Sequence, residues 1–318
     1  MKYENILILA SAIGAVATPI QDVLSASKPR PLVIWHGLGD SYDSPGLLKV
    51  QSSIAKMHPG IYIHSVYIDP DPKEDKRATF YGNVDEQVEL VAQQLKDVPQ
   101  LSGGFDAIGF SQGGQFLRAY IERHNDPPIR NLITFGSQHM GISDLPACKP
   151  YDLLCNLARH AAHAGVYNEW AQQNLVQAQY FRDPAQLEQY LDSNHFLASI
   201  NNELPARHKN TTYAANLAQL DALVLVLFTD DRTVVPKESA WFGSYPVPDG
   251  EEEGAGGGGK EKAIVPMREQ PLYVEDWIGL RTLDESGRVE LVSCDAEHMR
   301  LSPECWKPLV KKYVGSRS

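Results

Sequence analysis

What the sequence lacks narrows its chemistry first. No cluster of Lys and Arg falls on any expected helix and the net charge is −11, so the chain offers no electrostatic footprint for nucleic acid. No H-E-x-x-H or similar ligand spacing is present, and no G-x-G-x-x-G follows the first expected strand, so the chemistry reads as free of metal and cofactor. A long membrane-spanning run is missing as well: the apolar stretch from Ile6 to about Ala17 falls short of the ~20 residues a span needs. With one lysine ahead of it and an A-x-A pattern at Ala15 to Ala17, this stretch reads as a secretory signal peptide, a retained anchor being the weaker alternative. The mature chain is then expected to begin between about Thr18 and Lys28 and to carry no integral span.

Cysteine is scarce too, at four residues, yet the count is even and an oxidising lumen favours disulfides over reactive thiols. Of three possible connectivities the local one is favoured, Cys148 with Cys155 and Cys294 with Cys305. Asn210, in "KNTTY", is an N-x-T acceptor that has meaning only in such a lumen.

What is present is ordinary globular material: 318 residues, 43% hydrophobic and 22% charged, enough for a large core in one domain. Apolar runs at "RPLVIWHGLGD", "GIYIHSVYI", "FDAIGF", "IRNLITFGS", "ALVLVLFTDD" and "RVELVSCD" read as strands, with helical spacing between several of them in "GNVDEQVELVAQQL" and "QGGQFLRAYIERH". Strands alternating with helices predict an α/β fold, a mostly parallel, doubly wound sheet whose site lies outside the carboxyl ends of the strands. Residues 28–318 read as one such domain after the signal peptide and mature N-terminus of 1–27. A helical insertion is expected over about 140–220, from pieces such as "EWAQQNLVQAQYF" and "DPAQLEQYLDSNHFLASI". The Gly-rich acidic stretch 249–263 reads as a flexible surface loop.

One short segment carries chemistry. In "AIGFSQGGQFLRAY", Ser111 stands in G-x-S-x-G between an expected strand and an expected helix, the context that forces a serine hydroxyl out of a tight turn. A serine nucleophile needs a base, and the base an acid; in this architecture they follow in the order serine, acid, histidine. Of ten histidines, His298 alone lies beyond the "FTDD" strand end. Asp231 or Asp230 can serve as the acid; the spacing to Val-Val-Pro favours Asp231, with Asp230 as a surface or turn-capping residue and Asp295 too near His298 in sequence. The oxyanion donors are expected to be the N–H groups of Leu38, in "HGLGD", and Gln112, with His36 shaping the loop rather than reacting.

The segments "PLVIWHGLGDS", "GFSQGGQFLRA", "NLITFGSQHMG", "LVQAQYFRDP" and "WFGSY" closely resemble the palmitoyl-protein thioesterases of the lysosome, from about Pro31 to the C-terminus. The resemblance implies an α/β-hydrolase fold with a helical cap forming an apolar groove. It implies hydrolysis of the thioester between palmitate and cysteine, with S-acylated proteins, peptides or other fatty acyl thioesters as partners, in a lysosome or vacuole or outside the cell. By position it places the nucleophile on Ser111, the acid on Asp231, the base on His298 and the oxyanion donors on Leu38 and Gln112. Cys148 with Cys155 resembles a family disulfide and Asn210 falls near a family glycosylation site, whereas Cys294 with Cys305 looks like an addition. A secreted lipase or carboxylesterase with the same triad is the alternative.

Overall fold

Mainly apolar runs become the strands of a sheet whose central members are buried on both faces. The computed structural model describes residues 28–143, 165–205, 209–248 and 263–316, and within them the six expected runs form β1 (Leu32–Trp35), β2 (Ile63–Ser65), β3 (Phe105–Phe110), β4 (Ile129–Phe135), β5 (Ala222–Phe228) and β6 (Val289–Cys294). Their order is β2-β1-β3-β4-β5-β6, and every neighbouring pair is parallel. The described residues thus form the parallel, doubly wound α/β sheet that the sequence predicts. The signal peptide, the pair Cys148 and Cys155, and residues 249–262 lie outside the described residues.

A parallel sheet must be covered on both sides, and alternate residues of each strand do this in opposite directions. Leu32, Ile34, Ile108, Ile133 and Val224 pack with Leu47 and Ile54 of α1 (Pro45–Met57) and with Trp306, Leu309 and Val310 of the C-terminal helix Pro303–Tyr313. Val33, Trp35, Ala107, Leu132 and Leu223 face the other way, onto Val84, Val88, Val91 and Leu95 of α3 (Val84–Lys96) and Phe116, Leu117 and Tyr120 of α4 (Gln112–Arg123). Between α1 and α3 lies the short α2 (Pro72–Ala78), capped at its start by the Asp71 carboxylate. Each large side chain withdrawn from water in these layers contributes about 1.5–3 kcal/mol before chain entropy is counted.

Between β4 and β5 the described residues form no strand of the sheet but several short helices: α5 (Glu169–Asn174), α6 (Leu187–Ser193), α7 (Leu197–Ile200) and α8 (Thr211–Leu217). These are shorter than the helical spacing of "EWAQQNLVQAQYF" and "DPAQLEQYLDSNHFLASI" suggests. Buried side-chain amides interrupt them by bonding the backbone in place of the next helical turn. Gln172 Nε2 donates to the carbonyls of Val166 and Ala178, Asn194 Nδ2 to that of Gln179, and Gln179 Nε2 to those of Leu175 and Gly82. Asn210 is exposed and caps α8, its Oδ1 accepting from Thr212 N at 2.9 Å. Among the described residues no helix is long and apolar enough to cross a membrane.

Candidate active site

The carboxyl ends of β1, β3, β4, β5 and β6 converge on one place. β3 runs into α4 through Ser111, whose backbone sits at φ 51° and ψ −125°, a conformation few side chains adopt. The crossing is possible because of the neighbouring glycines: a Cβ on Gly109 would overlap the Cα of Gly114, and one on Gly113 would overlap the carbonyls of Trp35 and His36. Ser111 is thereby held at the start of α4, in a turn that any bulkier neighbour would push apart.

The loops after β5 and β6 zip together, Thr229 N donating to Cys294 O and Asp230 N to Ala296 O, and this brings their side chains to Ser111. His298 Nδ1 lies 2.6 Å from Asp231 Oδ2 and Nε2 lies 3.1 Å from Ser111 Oγ. Asp231 Oδ1 accepts the N–H groups of Thr233 and Val234 at 2.8 and 3.0 Å, so the carboxylate cannot rotate freely. The imidazole packs edge-on against Phe228, with ring centroids 6.0 Å apart, and over Gly136, where a Cβ would come 3.0 Å from Cε1. Asp230 is exposed and Asp295 instead accepts the Thr229 hydroxyl at 2.9 Å. Of the three carboxylates weighed in the sequence, the structure brings only Asp231 to the histidine.

Leu38 and Gln112 flank the same point. A Cβ on Gly37 would come 3.1 Å from Ser111 Cβ, so the loop after β1 packs directly on the elbow. Among the described residues neither the Leu38 N–H nor the Gln112 N–H has a backbone or side-chain acceptor. Gln112 opens a twelve-residue helix, whose free N–H groups favour negative charge. A serine with an adjacent imidazole, and two unpaired donors beside it, is equipped for acyl transfer. No group of side chains among the described residues is arranged to hold a metal ion.

Cys294 and Cys305 are joined, with Cα atoms 5.6 Å apart, and their loop carries His298. Closing it should contribute about 2–3 kcal/mol in the chain-entropy account. Cys305→Ser is accordingly expected to lower the thermal midpoint and to raise the hydrogen exchange of residues 295–302. If the midpoint is unchanged in oxidising buffer, the bridge does not brace this loop.

Two buried clusters draw in residues, Asp75 and Arg118 among them, that gave no sequence signal. His36, which the sequence assigns to shaping the loop, lies with Nε2 3.0 Å from Asp75 Oδ2, a close contact not aligned as a linear hydrogen bond. Burial alone would raise the Asp75 carboxyl, but the contact with His36 and the N–H groups of Ile68 and Tyr42 outweigh it and hold it below its ordinary range. On α4, Arg118 pairs with Glu122 at 2.9 Å, both fully buried, and its guanidinium also donates to Ile200 O, His139 O and Asn201 Oδ1. Burial pushes the Glu122 carboxyl up to about 7 against the pull of Arg118. The nucleophile helix is thus tied to α7.

Comparison with known proteins gives the family of the chain. The family model for palmitoyl protein thioesterase matches residues 31–298, which contain all three triad candidates. The chain belongs to the palmitoyl protein thioesterase family. It is similar to palmitoyl-protein thioesterase 1 of Caenorhabditis elegans, 38% identical over 98% of this chain and 99% of that one. It is also similar to palmitoyl-protein thioesterase 3 of Dictyostelium discoideum, 36% identical over 92% and 91%. The human lysosomal thioesterase PPT2 is more distant, at 29% identity over 82% and 78%.

Proposed function

We propose that the protein hydrolyses long-chain acyl thioesters, with palmitoyl-cysteine of lipidated proteins or peptides as its substrate class. The observation that carries this reading is the unbroken chain of contacts from Asp231 through His298 to Ser111, in a member of the palmitoyl protein thioesterase family. Ser111 Oγ attacks the thioester carbonyl carbon while its proton passes to His298 Nε2, and Asp231 holds the Nδ1 proton and the imidazolium that forms. The carbonyl oxygen becomes an oxyanion between the N–H groups of Leu38 and Gln112. Collapse breaks the C–S bond, the cysteine sulfur takes the proton from His298 and leaves, and an acyl-serine ester remains. Water, deprotonated by the same imidazole, then releases the fatty acid and restores Ser111.

The inserted segment over about 140–220 acts in this reading as a cap along which the acyl chain lies. Its described part reaches the elbow directly, Tyr180 donating its hydroxyl to Gln112 Oε1 at 3.1 Å. Entry into the secretory pathway and residence in a lysosome or vacuole belong to the same proposal. They are supported by the apolar N-terminal run, by the exposed acceptor Asn210 and by relatives named lysosomal thioesterase.

A thiolate, with a reference thiol pKa of about 8.5, needs less help to leave than an alkoxide. An apolar groove adds ~0.8 kcal/mol per buried methylene until it is full. The expected order of kcat/KM, measured below the critical micelle concentration, is palmitoyl thioester above octanoyl thioester, and either above its oxygen-ester analogue. Oxygen esters cleaved as fast as thioesters, or rates indifferent to acyl length, would move the protein to the lipase or carboxylesterase class.

A further inference from the structure

The loop that carries Leu38 has little rigidity of its own. It holds two glycines, Gly39 at φ +76°, and its internal bond from Asp40 N to Gly37 O is long, at 3.3 Å. A donor that stabilises a transition state must already be in place when charge develops, so the loop has to be held from outside.

Two residues one helical turn apart do this. Asp75 in α2 and Thr79 at its C-terminal cap are both buried and face the loop from one side. Asp75 Oδ2 accepts Tyr42 N at 3.0 Å and lies 3.0 Å from His36 Nε2, while Oδ1 accepts Ile68 N at 2.7 Å. His36 Nδ1 in turn faces the Gly37 carbonyl at 3.2 Å. Thr79 Oγ1 accepts Gly39 N at 2.9 Å, and its backbone carbonyl accepts the side-chain amides of Gln112 at 3.2 Å and of Gln177 at 2.9 Å. The loop is thus fastened at 36, 39 and 42, on both sides of Leu38, and the residue that fastens Gly39 also holds the side chain of Gln112.

The structure assigns Asp75 and Thr79, acting through His36 and Gly39, as positioning residues that set the Leu38 N–H against the Gln112 N–H. Neither touches the substrate. This rests on the proposed acyl transfer at Ser111, and it makes α2 the support of the oxyanion site.

Thr79→Val keeps shape and removes the acceptor for Gly39 N; Thr79→Ser keeps it; Asp75→Asn weakens the hold on Tyr42 and His36. Displacing one donor by up to an ångström is expected to lower kcat by about 10- to 100-fold. For Thr79→Val and Asp75→Asn the expected pattern is that loss in kcat on a palmitoyl thioester with KM within about twofold, and Thr79→Ser close to wild type. The same variants should lose affinity for an alkyl boronic acid, which forms a tetrahedral adduct on the serine, by the same factor, and keep affinity for palmitate. Thermal midpoints report whether each variant is folded, and should Asp75→Asn not fold, Thr79→Val decides. Unchanged kcat and unchanged boronate affinity in a folded Thr79→Val would overturn the assignment, as would a rise in KM alone. Boronate affinity does not depend on the leaving group, so a wild-type protein inert to thioesters would defeat the proposed activity while the boronate ratios still judge the role of α2.

Discussion

Ser111→Ala is expected to lower turnover of a palmitoyl thioester by about 10⁵- to 10⁶-fold while leaving the fold intact. Only Oγ is removed, and alanine has the same Cβ as serine, so the unusual backbone of the elbow at φ 51° is no worse accommodated than before. What remains is the contribution of binding and of the oxyanion donors, which is why the variant should still exceed the uncatalysed rate. The check is twofold: labelling by a lipophilic fluorophosphonate, read by intact mass, and turnover at matched thermal midpoint. An alanine variant that is still labelled at the wild-type rate would mean that another residue attacks.

Asp231→Asn should cost about 10⁴-fold in kcat, some 5–6 kcal/mol of transition-state stabilisation. The direction follows from the partners of the carboxylate. Oδ1 is held by the N–H groups of Thr233 and Val234, so an asparagine would keep its carbonyl oxygen there and turn its amide N–H toward His298. Nδ1 then has to accept, the ring proton moves to Nε2, and Nε2 can no longer take the proton of Ser111. Asp230→Asn, at an exposed position, is the control and should stay within about twofold of wild type. The reverse outcome, with Asp230→Asn crippled and Asp231→Asn active, would transfer the role of acid to the neighbour.

How much of this was legible in the sequence depends on the range over which each feature is encoded. The central strands β1, β3, β4 and β5 are mainly apolar and almost wholly buried, as a parallel sheet covered on both faces requires, whereas the edge strands β2 and β6 are only partly buried; each was readable alone. Ser111, Asp231 and His298 were findable because the elbow is a five-residue motif and chain order filters its partners. The short helices α5, α6 and α7 were read as longer ones, since helical spacing says nothing of a glutamine or asparagine that turns inward to bond the backbone. Asp75 and Thr79 could not be found at all: in "DPKEDKRATF" they look like an ordinary charged surface helix. Their meaning comes from His36 and Gly39, some forty positions earlier, brought close only by the fold.

The residues just before the first strand and just after the final helix come together far from the chemistry. Asp106, at the start of β3, takes the guanidinium of Arg30 at 2.9 Å and the N–H of Gly315 at 2.8 Å, so positions 30 and 315 share one buried carboxylate at the amino edge of the sheet. Ser111 lies one strand length away, roughly 15–20 Å at the usual rise per residue. A bead, a resin or a fused partner attached through either position would therefore grip the molecule from behind and leave its reactive edge pointing outward. For the same reason a short linker could join 315 to 30 and new ends be opened in a surface loop elsewhere, giving a circular permutant whose catalytic edge is undisturbed.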